Sequence, residues 1–70
     1  MTLNDYRNKK GWSLSELARK LGAPHATVVR RWCLPFDDQR RLIPNINYML
    51  RIVEVSAGEV MPNDFYLRRD

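Results

Sequence analysis

Residues 12–33, WSLSELARKLGAPHATVVRRWC, decide the fold of this 70-residue chain. Ser13 and Glu16 stand three positions apart just before an apolar repeat, which is the pattern of a capping box. In that box the Ser13 hydroxyl accepts from the Glu16 backbone N–H, and the Glu16 carboxylate accepts from the Ser13 backbone N–H. Trp12 and Leu17 flank the box at the positions of a hydrophobic staple. The pattern therefore predicts that a helix begins at about residue 14.

An apolar face follows the capping box. Its members recur at helical spacing: Leu14, Leu17, Ala18 and Leu21. Gly22 then permits the left-handed conformation that commonly ends a helix. Pro24 stands where a second helix can begin, because the first helical position needs no N–H. Val28 and Trp32, four residues apart, are predicted to point from this second helix back into the core. Two helices and a glycine turn predict a helix-turn-helix over about residues 13–33.

The segments on either side of this motif have their own signals. Thr2 and Asp5 form a cap pattern, which predicts a first helix over about residues 3–10 that ends at Gly11. Residues 34–44, LPFDDQRRLIP, have no clean period and predict a loop, with at most one helical turn at residues 36–39. At about eleven residues this loop is long for a connection between helices, and long loops often have a function.

The C-terminal part predicts two more helical segments. Asn45 can cap a fourth helix over residues 46–57, which Gly58 would end. The predicted inward face of this helix is Ile46, Met49, Leu50 and Val53, with Ile52 beside it. Pro62 and Phe65 predict a fifth helical turn over residues 62–67, with Phe65 in the core and a frayed tail at residues 68–70. Residues 1–70 are thus predicted to form one all-α domain of five helices.

The charge of the chain is uneven. The net charge is +4 and the isoelectric point is near 9.7, so we expect an anionic partner. Residues 1–33 hold seven Lys/Arg against two acidic residues, a balance of +5, whereas residues 34–70 hold five against six, a balance of −1. The positive charge therefore belongs to the helix-turn-helix half, which favours phosphate binding.

Several classes of protein are not expected. Cys33 is the only cysteine, which excludes an intramolecular disulfide and a cysteine-based metal cage. The single histidine, His25, has no partner at metal-ligand spacing, so we expect no metal, other cofactor or small-molecule ligand. Paired carboxylates, a phosphate-binding glycine loop and a catalytic triad are missing from the sequence, so an enzyme is not expected. No apolar run approaches a signal or transmembrane segment, and we expect a cytoplasmic protein.

Residues 16–22, ELARKLG, followed by AP and HATVVR, resemble the helix-turn-helix of lambda-repressor/Cro-type (XRE-like) regulators. Ala18 matches the small residue where the two helices touch, Gly22 the turn glycine, and Val28 the buried aliphatic residue of the recognition helix. Residues 58–65, GEVMPNDF, resemble the closing segment of small phage-type members. The resemblance runs from about residue 3 to residue 67 and implies a five-helix lambda-repressor-like domain.

In that family, residues at the start and middle of the third helix contact base edges. Carried over by position, the implied base-contacting residues are His25, Ala26, Thr27, Val29 and Arg30. Arg30 can donate two hydrogen bonds to guanine O6 and N7, which discriminates by about 1–3 kcal/mol. His25 can donate to an acceptor such as guanine N7. Ala26 and Val29 can pack against a thymine methyl group.

Phosphate contacts are expected around these residues, where they add affinity without sequence information. The candidates are Ser13, Lys10, Arg19, Lys20, Arg31, Arg40 and Arg41. The chain departs from the family pattern at Leu14, where many members have a glutamine that contacts phosphate. It departs again at Arg31, where an apolar residue is usual, and in the length of the 34–44 loop.

The resemblance implies a bacterial or prophage transcriptional regulator, most simply a Cro-like repressor that occupies an operator. One helix in one major groove buries little surface, so we expect a homodimer on a palindromic operator with half-sites about 34 Å apart. The candidate dimer surfaces are Tyr66 with Leu67, or Leu34 with Phe36. The sequence does not choose between them.

Two other hypotheses remain open. The first is a protein-binding module on the same fold, an antitoxin-like partner or an adaptor, which would dock through the third helix or the 34–44 loop. The second is a winged-helix DNA-binding protein, excisionase-like or MerR-like, in which residues 40–45 form a wing. A wing requires two extended segments around residues 34–47, whereas the helical spacing of the following segment favours a loop before a helix.

Overall fold

The computed structural model describes residues 1–66 and is all-helical over that range. It has four α-helices, α1 (Leu3–Lys10), α2 (Leu14–Leu21), α3 (Ala26–Trp32) and α4 (Ile46–Val55), and a short 3-10 helix at Pro62–Phe65. The described residues contain no β-strand. Residue 67 of the predicted fifth turn and the predicted tail at residues 68–70 lie outside the described residues.

The starts of α1 and α2 confirm the predicted caps. Thr2 Oγ1 accepts from the backbone N–H of Asp5 at 3.1 Å. Both hydrogen bonds of the capping box form at 3.1 Å, from Glu16 N to Ser13 Oγ and from Ser13 N to Glu16 Oε1. Gly22 ends α2 in the left-handed region at φ 70°. These bonds are local in sequence, which is why the sequence alone predicts them.

The start of α3 corrects the prediction. The helix begins at Ala26 rather than Pro24, and His25 is its N-cap, in extended backbone with φ −142° and without a side-chain cap bond. The closure of α2 explains the difference. Ala23 N donates to Ala18 O at 2.9 Å, so the turn that closes α2 extends as far as Ala23. Residues 24 and 25 are then needed to reverse the chain.

The end of α4 depends on a buried serine that the sequence analysis did not single out. Ser56 Oγ accepts from Val60 N at 3.0 Å and donates to Val53 O at 3.3 Å. The helix therefore ends at Val55, two residues before the predicted end, and the chain turns through Ala57 and Gly58 with positive φ. Val60, buried by this turn, joins the core.

The inward face of α4 also differs from the prediction. Met49 and Ile52 are buried, at 4% and 1% exposure, together with Ser56. Ile46 and Leu50, predicted to be buried, are 68% and 56% exposed, so that prediction is wrong. Both sets have helical spacing, and the packing of α4 against α2 selects the first one.

The core is formed by all five helical segments. Its buried apolar residues are Leu3, Tyr6, Leu17, Ala18, Leu21, Val29, Trp32, Met49, Ile52, Val60 and Phe65. Two aromatic pairs connect its parts. The rings of Tyr6 and Trp12 meet edge to face with centroids 5.8 Å apart, and those of Trp32 and Tyr48 lie 5.1 Å apart. They join α1 to the start of α2, and α3 to α4. No helix within residues 1–66 has the length and apolar character needed to cross a membrane.

Candidate nucleic-acid interface

One side of α3 is fixed in the core and the other is exposed. Val29 is fully buried at 0% exposure, and Trp32 is buried one turn later. Thr27, Arg30 and Arg31 are exposed. Because α3 makes less than two full turns, these three side chains form its whole outward ridge. The ridge has two guanidinium groups and a hydroxyl, which are hydrogen-bond donors that suit nucleic-acid acceptors.

The buried side of α3 overturns part of the predicted base-contacting set. Val29 cannot reach a base edge because it is enclosed by the core, so its predicted role is wrong. Ala26 is half-buried and packs against the core, so it does not belong to the outward ridge. Val28, predicted to be buried, is only half-buried. Val29 and Trp32, three apart, fit a helical face as well as Val28 and Trp32 do, and the sequence cannot distinguish the two registers.

The structure brings His25 and Thr27, two of the other predicted base-contacting residues, into one cleft with a residue of the loop, while the third, Arg30, is exposed on the ridge. A shallow cleft beside the outward ridge is lined by His25, Thr27, Val28, Arg31 and Leu42. Leu42 belongs to the end of the 34–44 loop, and its backbone N–H donates to the carbonyl of Arg31 at 3.2 Å. The position of Leu42 could not be predicted from the sequence, because no local pattern indicates that the loop returns to α3.

The predicted phosphate-contacting residues of α1 and α2 lie on exposed surface. Arg19 and Lys20 occupy the last turn of α2, and Lys10 the last turn of α1. Both lysine ammonium groups lie over aromatic rings, Lys20 at 5.1 Å from the centroid of Trp12 and Lys10 at 5.6 Å from that of Tyr6. These cation–π contacts direct the lysines along the surface. The Ser13 hydroxyl already accepts the cap hydrogen bond, and its exposed side faces solvent.

Asp38 and Arg40 form an ion pair in the loop. Arg40 Nη2 lies 3.2 Å from Asp38 Oδ2, and the Arg40 backbone N–H donates to Asp38 Oδ1 at 2.8 Å. These contacts hold the pKa of the Asp38 carboxyl below its ordinary value, and the charge of Arg30 contributes a smaller effect in the same direction. The Asp38 carboxylate, which senses the charge of Arg30, is thus paired with Arg40.

Arg41 supports the loop from inside. Its Nε donates to the carbonyl of Leu34 at 3.1 Å, and its guanidinium lies 4.4 Å from the centre of the Phe36 ring. Burial lowers the pKa of this guanidinium. Arg41 is half-buried, so it stabilises the loop instead of facing a phosphate. Two turns replace the predicted helical turn at residues 36–39, closed by Asp38 N to Pro35 O at 3.0 Å and by Arg41 N to Asp38 O at 3.1 Å.

The loop also bears on the alternative hypotheses. Residues 34–47 contain no strand, so the wing of the winged-helix hypothesis does not form there. Leu34 and Phe36, one of the predicted dimer surfaces, are half-buried. Tyr66 is 64% exposed, and Leu67 lies outside the described residues. No cluster of three His, Cys, Asp or Glu side chains able to hold a metal ion occurs within residues 1–66.

Comparison of the chain with family models, with curated proteins and with solved structures finds no match. Function is therefore inferred from the geometry of α2, α3 and the residues around them.

Proposed function

We propose that this chain binds double-stranded DNA sequence-specifically and acts as a Cro-like transcriptional regulator by occupying its operator. In this proposal α2 and α3 are the helix-turn-helix, with α3 in the major groove. The 3-10 helix at Pro62–Phe65 takes the place of the fifth helix of a lambda-repressor-like domain. The short connection between α2 and α3 supports the assignment, because Gly22 and three further residues reverse the chain within a single turn.

The exposure of Arg30 is the observation that carries the proposal. Val29, its neighbour, is locked in the core, so the direction of the Arg30 side chain is fixed by the packing of α3. A guanidinium on a rigid, exposed helix can donate both hydrogen bonds to guanine O6 and N7. Thr27, one turn earlier, can contact a base through either its hydroxyl or its methyl group.

The charge around α3 supports the same proposal. The half of the chain that contains α2 and α3 has a balance of +5. Two acidic groups of this region are engaged, Glu16 in the capping box and Asp38 with Arg40. Both carboxyl pKa values are lowered by these hydrogen bonds, so both groups keep their partners at neutral pH. A duplex would therefore meet the exposed cationic groups of Arg19, Lys20, Arg30 and Arg31, which form no ion pair within residues 1–66.

The proposal assigns separate tasks to Arg30 and Lys20. Arg30 reads a base, so Arg30→Ala should weaken binding to the preferred duplex by about 1–3 kcal/mol and relax its base preference. Lys20 contacts phosphate, so Lys20→Ala should weaken all duplexes about equally and reduce the salt slope by about one. Both positions are exposed, and neither variant should change the fold.

The experiment is a binding selection from random duplexes, followed by affinity measurements across a salt series. The proposal expects one enriched sequence, and affinity that falls steeply with salt concentration. Equal and sequence-blind losses in Arg30→Ala and Lys20→Ala would refute the assigned roles. Negligible binding at low salt would refute DNA binding itself and favour the protein-binding module.

A further inference from the structure

The cleft beside α3 combines aliphatic surface with hydrogen-bond donors. Of its five lining residues, Val28 and Leu42 are aliphatic, and Thr27 carries both a methyl group and a hydroxyl. His25 and Arg31 add nitrogen donors, and none of the five residues is acidic. The surface of the cleft is mainly apolar. A group that fits this cleft therefore needs an apolar part directly beside a hydrogen-bond acceptor.

We propose that the cleft binds the major-groove edge of a thymine and that Leu42 contacts the thymine 5-methyl group. This inference rests on the proposed DNA binding and names one base that the site reads. Thymine is the base that presents a methyl group beside an acceptor, O4, in the major groove. Cytosine presents an N4 donor there and has no methyl group, and the two purines also lack one. The cleft is therefore complementary to thymine.

The backbone around Leu42 holds this side chain in place. Its own N–H donates to the Arg31 carbonyl at 3.2 Å. One residue earlier, Arg41 Nε donates to the Leu34 carbonyl at 3.1 Å, and two residues later Pro44 is buried. The Leu42 side chain is nevertheless 40% exposed. A side chain that a rigid scaffold fixes and leaves accessible is suited to recognition.

The cleft lies on the side of α3 that faces DNA in the proposed function. Thr27 and Arg31 belong both to the cleft and to the outward ridge. Ala26 and Val29, the residues predicted from the sequence to contact a thymine methyl group, pack into the core instead. The apolar contact is thus assigned to Leu42, a residue of the loop outside the helix-turn-helix.

Ile43 provides a matched control for Leu42. It is the next residue, it is also aliphatic, and its exposure is nearly the same, 38% against 40%. Ile43 does not line the cleft. Truncation of either side chain to alanine removes apolar surface from the same end of the loop, but only the Leu42 variant changes the cleft.

The experiment uses the duplex obtained by selection and replaces its thymines by uracil, one at a time. This replacement removes the 5-methyl group and keeps the hydrogen-bonding groups of the base. At one thymine per bound α3 we expect the affinity of the original chain to fall about fourfold, because a buried methyl group contributes about 0.8 kcal/mol. At that position Leu42→Ala should bind the thymine and uracil duplexes about equally. Ile43→Ala should keep the fourfold preference for thymine.

The proposal is overturned if no thymine is sensitive to this replacement, or if Leu42→Ala and Ile43→Ala change the preference equally. If Leu42→Ala fails to fold, nuclear Overhauser effects in the complex of the original chain decide. They should connect the thymine methyl protons with the Leu42 methyl protons, and their absence at Leu42 would also overturn the proposal. Sequence-specific binding without a methyl preference would refute this inference alone. Negligible binding to every duplex at low salt would refute the proposed function itself.

Discussion

The Arg51 guanidinium of α4 donates to the Leu21 carbonyl of α2 at 3.0 Å, beside the glycine that ends α2. This carbonyl belongs to the last turn of the helix, where backbone acceptors lack partners within the helix and a positive charge is favourable. A Cβ atom at Gly22 would lie 2.5 Å from Arg51 Nη1. The turn between α2 and α3 is therefore held both by its own backbone and by a side chain from α4.

Replacement of Gly22 should affect stability in two ways, through the left-handed backbone at this position and through the nearby side chain of Arg51. Gly22→Ala places a Cβ in the left-handed region, which costs about 1–2 kcal/mol, and also displaces Arg51. Gly11→Ala is the matched control, because Gly11 has nearly the same φ, +71°, and its added Cβ would meet nothing within 4 Å. Urea unfolding should show a larger decrease in the free energy of unfolding for Gly22→Ala than for Gly11→Ala. In a double-mutant cycle, Arg51→Ala should remove this difference between the two glycine variants. Equal losses at the two glycines would show that Arg51 adjusts without cost.

The register of α3 predicts different effects for two adjacent valines. Val29→Ala removes two fully buried methyl groups and should lower the free energy of unfolding by about 2 kcal/mol or more. Val28→Ala, at a half-buried position, should cost less than about 1 kcal/mol. Thermal or urea unfolding of both variants makes the comparison. A larger loss at Val28 would support the register inferred from the sequence and count against the structure.

Signals that act over a few residues predicted the fold well. The caps at Thr2, Ser13 and Asn45 each depend on a side chain and a backbone N–H three residues later, and all three form. The helix boundaries of α1 and α2 follow directly from them. These caps and the apolar periods between them are almost sufficient to predict the all-helical architecture and the long loop at residues 34–44.

Choices between two apolar faces could not be predicted. On α4, Ile46 and Leu50 have the same helical spacing as the buried residues, and only contact with α2 identifies the buried set. On α3, the pair Val28 and Val29 poses the same ambiguity. The return of Leu42 to the carbonyl of Arg31 is a tertiary contact with no local signature. The sequence therefore predicted the residue range of α3 approximately, but not which side of this helix is buried.

Cys33 should titrate well above an ordinary thiol. Burial raises its pKa to about 11, against smaller opposing effects of Arg7 and Arg41. Because the unfolded chain releases this proton near pH 9 and the folded chain does not, stability contributed by the protonated thiol should be lost as pH rises from about 9 to 11. Iodoacetamide at pH 8 should react slowly with the native protein and rapidly in urea. Fast native alkylation at pH 8 would contradict the raised pKa.

The ion pair between Asp38 and Arg40 should limit DNA affinity if the proposed function is correct. Asp38→Asn removes a negative charge near Arg30 and releases the Arg40 guanidinium, which is exposed. We expect tighter binding at low salt and a salt slope that steepens by about one, because one more cation can displace a counterion. Asp37→Asn is the control, since it changes the net charge equally at the adjacent exposed position. Fluorescence anisotropy with the selected duplex across a salt series should show a larger gain for Asp38→Asn. Equal gains would mean that only net charge matters, and a loss for Asp38→Asn would mean that DNA binding requires the loop closed by this pair.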